Sequence, residues 1–258
     1  DCGGSSREAN TGSPMLAIEE LSKNFGGVRA VHKVELRVRE NEILGLIGPN
    51  GSGKSTIVNV VTGVYLPSGG RVRFRDVDIT GWPAHRVLTA GVGRTFQNIR
   101  LFGELTVWQN LWVAQNSRTH RQANLFRRWL SVDRSSMRRI EETLDFCRLG
   151  EKRDELARNL AFGEQRRLEL ARTLSAEPDL LLLDEPAAGM NAQEIDELRE
   201  RIVALKRRGK TMVLIEHHVE LVMEVVERVA VLNFGQKIAE GAPAEVQGNQ
   251  AVQEAYLG

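Results

Sequence analysis

Nine consecutive residues have the composition and spacing of a loop that binds phosphate. They are Gly48, Pro49, Asn50, Gly51, Ser52, Gly53, Lys54, Ser55 and Thr56, and they fit the pattern G-x-x-x-x-G-K-[ST]. The glycines allow the backbone to turn successive N–H groups inward, and those groups form a nest for anions at the start of a helix. The pattern predicts that Lys54 reaches the β- and γ-phosphates of a nucleotide, that Ser55 binds Mg²⁺ and that Thr56 touches the α-phosphate.

Two carboxylates follow an apolar run later in the chain. The run is Leu180–Leu183, and the carboxylates are Asp184 and Glu185. A continuous apolar run is typical of a buried parallel strand, and ligands bind beyond the carboxyl ends of such strands. The sequence therefore predicts that Asp184 is a Mg²⁺ partner beside the phosphate loop. It predicts that Glu185 orients or deprotonates the attacking water.

The remaining sequence supplies the strands and helices that such a site needs. A buried strand over Glu42–Ile47 precedes the loop, and a helix over Lys54–Thr62 follows it. Residues 1–14 are small and polar and are predicted to be a disordered tail, so the folded domain is expected over 15–258. Further predicted strands are Leu16–Phe25, Val31–Val38, Arg71–Arg75, Gly91–Phe96, Asp179–Leu183, Thr211–Ile215, Val229–Leu232 and Gln236–Glu240. Predicted helices occupy much of Thr106–Cys147 and all of Gly163–Ala176 and Asn191–Arg208.

Composition limits the class of protein. The 35 basic and 34 acidic residues nearly cancel, so no overall positive field favours nucleic acid. The two cysteines, Cys2 and Cys147, have no metal-ligand spacing and form no disulfide framework. No apolar stretch approaches the roughly 18 residues that a membrane-spanning helix needs. A role in a membrane process would therefore require docking onto another chain.

Four further segments, in this order along the chain, resemble motifs of ABC transporter ATP-binding subunits. Thr95–Asn98 resembles the Q-loop, and Leu160–Arg167 resembles the signature motif usually written LSGGQ. Ala188–Asn191 occupies the position of the D-loop, and Ile215–His217 supplies a switch histidine. The resemblance covers residues 15–258. It implies an α/β fold of the P-loop NTPase type, with an N-terminal antiparallel β subdomain and a helical subdomain over approximately 98–176.

The resemblance also implies roles for individual residues. Gln97 would contact Mg²⁺ and the γ-phosphate and link them to a membrane partner, and His217 would hydrogen-bond the γ-phosphate. Phe25 lies where this family stacks an aromatic ring on adenine; the alternative is a core or turn aromatic residue. The signature residues Ala161, Gly163 and Gln165 would face the ATP bound by a second subunit.

One departure from the family pattern concerns the signature serine, which is Ala161 here. The serine hydroxyl would reach the partner-bound γ-phosphate, whereas alanine has no hydroxyl to offer. The N–H of Gly163 and the start of the helix remain able to bind that phosphate. Two consequences stay open: either the site that this signature completes is weaker, or the dimer is asymmetric.

Longer segments narrow the resemblance to the ATP-binding subunits of branched-chain amino-acid importers. They are Asp78–Gly81, Arg94–Phe102, Leu105–Val107, Gly163–Glu169, Pro186–Asn191, Ile215–His217 and Glu254–Gly258. The resemblance implies uptake of leucine, isoleucine or valine driven by ATP and Mg²⁺. It implies a second ABC ATPase, identical or related, two transmembrane permease subunits and, indirectly, a periplasmic binding protein. Nucleic acid is not an expected partner, and the expected location is the cytoplasmic face of the inner membrane.

Two alternatives remain on the sequence alone. One is an ABC ATPase for another cargo, such as urea or a lipid. The other is an ABC protein that acts on nucleic acid or ribosomes, although such proteins usually carry two cassettes or long coiled coils. The arginine-rich segment Ser117–Arg148 is either a solvated helix face or a contact with permease loops or lipid headgroups. Within it, Asn124–Leu130 mixes arginine with large apolar residues, as interfacial helices do.

Overall fold

Two β-sheets and the helices around them form the chain. The computed structural model describes residues 14–95, 99–118 and 134–257. The first sheet is antiparallel, with the strand order β2-β1-β4-β5. Its strands are β1 Leu16–Phe25, β2 Val28–Val38, β4 Gly69–Phe74 and β5 Val77–Asp78.

The second sheet has six strands in the order β10-β9-β3-β8-β7-β6. Strands β9, β3, β8, β7 and β6 are parallel to one another, and β10 pairs with β9 in the antiparallel direction. The strands are β3 Ile43–Ile47, β6 Val92–Arg94, β7 Leu180–Asp184, β8 Thr211–Ile215, β9 Arg228–Asn233 and β10 Gln236–Gly241. This strand order fits the predicted α/β fold of the P-loop NTPase type.

The central strands are apolar throughout because both faces of this sheet are buried. Successive residues point to opposite faces, and in β7 Leu180 and Leu182 join one core cluster while Leu181 and Leu183 join another. The first cluster lies between the two sheets and includes helix α1, Lys54–Val61. The second cluster lies under helix α6, Ala192–Arg207, and helix α7, Val219–Val225.

Three further helices pack around a separate apolar cluster. They are α3 Val107–Arg118, α4 Arg134–Phe146 and α5 Phe162–Ser175, and the cluster contains Leu111, Leu144 and Leu168. Burial in this cluster raises the pKa of the Cys147 thiol to about 12. Cys147 is therefore a core residue and not a nucleophile.

The remaining helices are short. They are α2 Ala84–Ala90, α8 Pro243–Gln247 and α9 Gln250–Leu257, and two 3₁₀ turns lie at Gly150–Lys152 and Ala157–Asn159. Within the described ranges, no helix combines the length and the apolar character needed to cross a bilayer.

Most predicted elements lie within a few residues of their expected bounds, but β5, α2 and α7 were not predicted. Helices α2 and α7 have only seven residues each, too few for a helical period to be distinguished. The predicted tail at 1–14, apart from Pro14, and the amphipathic segment at 124–130 lie outside the described residues. The predicted domain boundaries remain a prediction.

Candidate functional site at the carboxyl edge of the second sheet

The topology brings four loops to one edge of the six-stranded sheet. Strands β3, β8, β7 and β6 are neighbours in that order and run in parallel, so their carboxyl ends share an edge. The phosphate loop follows β3, Glu216 and His217 follow β8, Asp184 ends β7, and Thr95 follows β6. Side chains that are far apart in sequence therefore meet at one place.

Glycine is required in the phosphate loop by the backbone and by its neighbours. Gly48 and Gly53 have φ values of 149° and 104°, which side-chain-bearing residues rarely adopt. A β-carbon on Gly48 would lie 2.1 Å from the carbonyl oxygen of Leu232, and one on Gly53 would lie 2.7 Å from that of Ala30. The loop is therefore held tightly between β2 and the end of β9.

Lys54 lies inside this loop and is 5% exposed. Its ammonium donates to the carbonyl oxygens of Gly48 at 2.7 Å and Pro49 at 3.0 Å, and to the Ser52 hydroxyl at 3.4 Å. Burial lowers the pKa of Lys54, while the negative charges of Glu185 and Asp184 oppose that shift. The loop thus holds a buried cation whose partners are mostly carbonyl dipoles, an arrangement that favours the arrival of an anion.

The next two loop residues face different surroundings. Ser55 is exposed and Thr56 is half-buried, both in the first turn of α1. The exposure of Ser55 at the start of the helix is compatible with its predicted role in binding Mg²⁺, which stays a prediction.

Asp184 is buried at the end of β7, with 2% of its surface exposed. Its Oδ2 accepts a hydrogen bond from Arg94 Nη2 at 2.6 Å, and its backbone N–H donates to the Thr95 hydroxyl at 3.2 Å. Among the described residues no donor reaches its other oxygen, Oδ1. Buried polar atoms normally have a partner, so this oxygen is suited to a water-bound or directly bound cation.

Glu185 and His217 are joined through a residue that the sequence analysis did not select, Glu216. The carboxylate of Glu216 is fully buried and accepts hydrogen bonds from the N–H groups of Ala187 at 2.7 Å and His217 at 3.1 Å. The N–H of Glu185 donates to the carbonyl of Ile215 at 2.8 Å. These bonds fix the backbones that follow β7 and β8 relative to each other.

The side chains of Glu185 and His217 remain accessible. Glu185 is half-buried and has a φ of 48°, a strained value for a residue with a side chain. The His217 side chain is 53% exposed, and its Nδ1 lies 3.7 Å from a Glu216 oxygen. Gln97, the remaining predicted catalytic residue, lies outside the described residues.

Phe25 belongs to an exposed aromatic pair rather than to the core. Its ring meets Tyr65 edge-on, with centroids 5.2 Å apart, and it is 42% exposed. The ammonium of Lys23 lies 4.9 Å from the Phe25 centroid. An exposed aromatic ring beside a cation suits a planar base. Tyr65 was not recognised from the sequence because it lies 40 residues away from Phe25.

The predicted signature residues lie at the start of α5. Ala161 precedes the first turn, and its N–H donates to the Glu164 carboxylate at 3.0 Å. The side chain of Gln165 donates to the carbonyl of Leu160 at 2.9 Å. Ala161 has no side-chain oxygen to cap the helix, so only one half of a capping box is present.

The signature segment packs on the residues that follow β7. A β-carbon on Gly163 would lie 2.1 Å from a carboxylate oxygen of Glu194, and one on Gly189 would lie 3.0 Å from the ring of Phe162. Gly189 also has a φ of 76°, so glycine is required there, whereas the Glu194 carboxylate beside Gly163 is the end of a flexible side chain. The predicted D-loop and the predicted signature are thus in contact within one chain.

The last helix, α9, reaches back to the phosphate loop. Burial raises the pKa of Tyr256, and a hydrogen bond with the backbone of Gly48 opposes that rise. Tyr256 and Gly48 were not connected in the sequence analysis, because 208 residues separate them.

Comparison with known protein families gives two matches. The family described as ABC transporter matches residues 31–188, and the family described as branched-chain amino acid ATP-binding cassette transporter matches residues 236–258. The second match contains β10, α8 and α9, and α9 is the helix that carries Tyr256.

Two curated relatives and one solved structure extend the match to nearly the whole chain. The high-affinity branched-chain amino acid transport ATP-binding protein LivG of Salmonella typhimurium is 44% identical, covering 95% of this chain and 98% of the relative. The corresponding protein BraF of Pseudomonas aeruginosa is 42% identical with the same coverage. The structure of the ADP conformation of MJ1267, an ATP-binding cassette of an ABC transporter, is 30% identical. It has a TM-score of 0.82 and covers 95% of this chain and 99% of its own.

Proposed function

The chain belongs to the ABC transporter family of ATP-binding subunits, and from that premise we propose that it energises the uptake of branched-chain amino acids. The ABC ATPase assignment made from the sequence motifs is confirmed by the family match. The cargo is supported by the 44% identity to LivG over 95% of the chain and by the match at residues 236–258. The observation that carries the ATPase part of the proposal is the shared sheet edge, where the buried Lys54 interacts with the charges of Glu185 and Asp184.

We assign nucleotide binding to the loop Gly48–Thr56 and to Phe25. The inward N–H groups and Lys54 would hold the phosphates, which replace the carbonyl contacts that Lys54 makes in the structure. The exposed face of Phe25 would stack on adenine. A phosphate-binding loop together with an exposed aromatic ring matches a ligand that has a charged end and a planar base.

Ser55, Asp184 and Gln97 would hold Mg²⁺. Two of these residues offer oxygen atoms that suit Mg²⁺. The buried Asp184 Oδ1 accepts no hydrogen bond among the described residues, and Ser55 is exposed. When bound, the metal supplies positive charge to the oxygens of the transferred phosphoryl group. Oxygen ligands of this kind are the ones that Mg²⁺ prefers.

Glu185 would orient or deprotonate the attacking water, and His217 would donate a hydrogen bond to the γ-phosphate. Their accessible side chains and fixed backbones are suited to these tasks, because the bonds through Glu216 limit relative movement. A preorganised site stabilises the transition state without a large reorganisation cost.

We further propose that the chain works as part of a membrane complex. A second ABC ATPase, identical or related, would place its ATP against Ala161, Gly163 and Gln165 at the start of α5. Two permease subunits would hold the pair at the cytoplasmic face of the inner membrane, and a periplasmic binding protein would deliver the amino acid.

The proposed contact for a permease is an apolar surface cavity of about 380 Å³. It lies between α2, α3 and α5 and is lined by Val87, Leu88, Phe102, Val113 and Ala176 among others. An apolar segment of a permease suits this wall, whereas the polar sheet edge suits a nucleotide. The two surfaces therefore serve different partners.

The decisive experiment is purification of the tagged full chain from native membranes, followed by identification of the chains bound to it. Reconstitution of that complex should give ATP-dependent uptake of labelled leucine, isoleucine or valine. In the complex carrying Glu185→Gln, this uptake should fall by about 10²- to 10⁴-fold. ATP-dependent uptake of another cargo in place of these amino acids would overturn the cargo assignment.

A further inference from the structure

Arg94 joins the carboxylate of Asp184 to helix α1. While Nη2 donates to Asp184 at 2.6 Å, Nη1 donates to the Asn59 side-chain oxygen at 2.7 Å and to the Thr62 hydroxyl at 3.2 Å. The side chains of Arg94 and Asp184 are 10% and 3% exposed. A planar guanidinium bound on two sides has little freedom, so it fixes the side-chain torsions of Asp184.

Because of this hydrogen bond, the two oxygens of the Asp184 carboxylate have different surroundings. Oδ2 is taken by Arg94, whereas Oδ1 is buried and accepts no hydrogen bond from the part of the chain that the structure describes. We infer that Arg94 is a positioning residue that directs Asp184 Oδ1 toward Mg²⁺. Arg94 thereby sets the metal concentration at which Mg²⁺ strengthens nucleotide binding. The inference rests on the proposed function, because it requires a Mg-nucleotide at the phosphate loop.

Two opposing effects of Arg94 must be compared. Its positive charge repels a divalent cation, but its hydrogen bonds hold the carboxylate ready to bind one. Removal of residues that orient metal ligands costs about 10- to 100-fold in metal affinity. The orienting effect is therefore expected to exceed the repulsion.

The test measures nucleotide affinity rather than turnover. A fluorescent ADP derivative is titrated into the purified full chain with EDTA and over a series of Mg²⁺ concentrations. In Arg94→Met, the Mg²⁺ concentration that gives half of the metal-induced gain in affinity should rise about 10- to 100-fold. In Arg94→Lys the rise should be smaller, because one ammonium cannot bind Asp184 and Asn59 in the same planar arrangement. In EDTA, the affinity of both variants for the ADP derivative should stay within about twofold of that of the wild-type chain.

Arg172→Met is the matched control. Arg172 lines the same cavity as Arg94, but its guanidinium lies 5.5 Å from the Phe102 ring. This variant should leave the Mg²⁺ midpoint unchanged. A shift equal to that of Arg94→Met would show that the effect comes from the cavity wall and would overturn the inference.

Three other results would also overturn it. They are an unchanged midpoint in Arg94→Met, a lower midpoint, and an equal loss of affinity with and without Mg²⁺. If Arg94→Met does not fold, as judged by thermal unfolding, Arg94→Lys decides by the same criteria. A wild-type chain that binds no nucleotide under either condition would contradict the proposed function instead.

Discussion

The Glu216 carboxylate accepts a hydrogen bond of 2.7 Å from the backbone N–H of Ala187. Because Glu216 follows β8 and Ala187 follows β7, this bond ties together the two loops that carry His217 and Glu185. The carboxylate is fully buried and also accepts from the N–H of His217. A fixed distance between these loops is a condition for the water and the γ-phosphate to be held at the same time.

Glu216→Gln should lower kcat while leaving the affinity for ATP close to wild type. The amide has one oxygen in place of two, so at least one backbone N–H loses its acceptor at a cost of about 1–3 kcal/mol. A cost of 1.4 kcal/mol in the transition state alone corresponds to roughly a tenfold loss of turnover. Steady-state kinetics and ATP titration measure the two quantities.

Glu220→Gln is the control for this variant, because Glu220 is an exposed residue in the first turn of α7. It should behave as wild type. Equal losses of kcat and ATP affinity in Glu216→Gln would mean that Glu216 maintains the whole site rather than the geometry of the reaction.

Glu185→Gln should reduce turnover by about 10²- to 10⁴-fold, the usual contribution of a general base, while ATP still binds. Phosphate release by the assembled complex measures the rate. Glu177→Gln provides a control near the opposite end of β7, where Glu177 forms a surface ion pair with Arg139. A Glu185→Gln rate within about tenfold of wild type would exclude Glu185 as the base.

Lys54→Ala should abolish tight nucleotide binding. The substitution removes the buried ammonium that faces Glu185 and Asp184 across the phosphate loop. Calorimetric titration with ATP measures the loss. Lys33→Ala, which removes an exposed ammonium paired with Glu20, should bind ATP as wild type does. An unchanged ATP affinity in Lys54→Ala would contradict the assignment of the loop.

Phe25→Ala should weaken the binding of ATP by about 1–3 kcal/mol, the usual contribution of an aromatic ring stacked on a base. Binding of inorganic triphosphate should be unchanged, because it lacks a base to stack. Comparing the two ligands by calorimetry separates stacking from damage to the loop. An equal loss for both ligands would place Phe25 in a structural role with Tyr65.

Ala161→Ser should stabilise the chain and should raise, or leave unchanged, the ATPase rate of the assembled complex. The new hydroxyl can accept from the N–H of Glu164 and complete the capping box, which stabilises helices by about 0.5–2 kcal/mol. Thermal unfolding and phosphate release measure the two effects. A large fall in rate would show that alanine is required at the signature.

The parts of the site that were predictable from sequence are those whose chemistry is local. Gly48–Thr56 needs neighbouring glycines and one lysine, and Asp184 follows an unbroken apolar strand; both patterns are visible over a few residues. Arg94, Glu216 and Tyr65 were not selected because their roles depend on partners distant in sequence. Arg94 meets Asp184 across 90 residues, and only the strand order β7-β6 brings them together.

The same contrast holds for the secondary structure: elements with a local sequence pattern were predictable, and elements that depend on packing were not. Long apolar or alternating segments such as β1, β7 and α6 were predicted within a few residues. Helix α7 was missed because its seven residues form less than two helical turns. Its stability comes from packing, since Val222 lies so close to Gly45 that a β-carbon there would approach it to 2.7 Å. Such packing is a property of the assembled sheet and helix together.

Helix α5 begins at the signature and ends at the wall of the apolar cavity. Its 14 residues span about 21 Å at the usual rise per residue, and Arg172 and Thr173 in its last turn line that cavity. A hydrogen-bonded helix of this length moves largely as a rigid rod. In the proposed complex, a tilt imposed on the first turn of α5 by the second ATPase would displace its last turn, so α5 would transmit movement from the proposed dimer face to the proposed permease face.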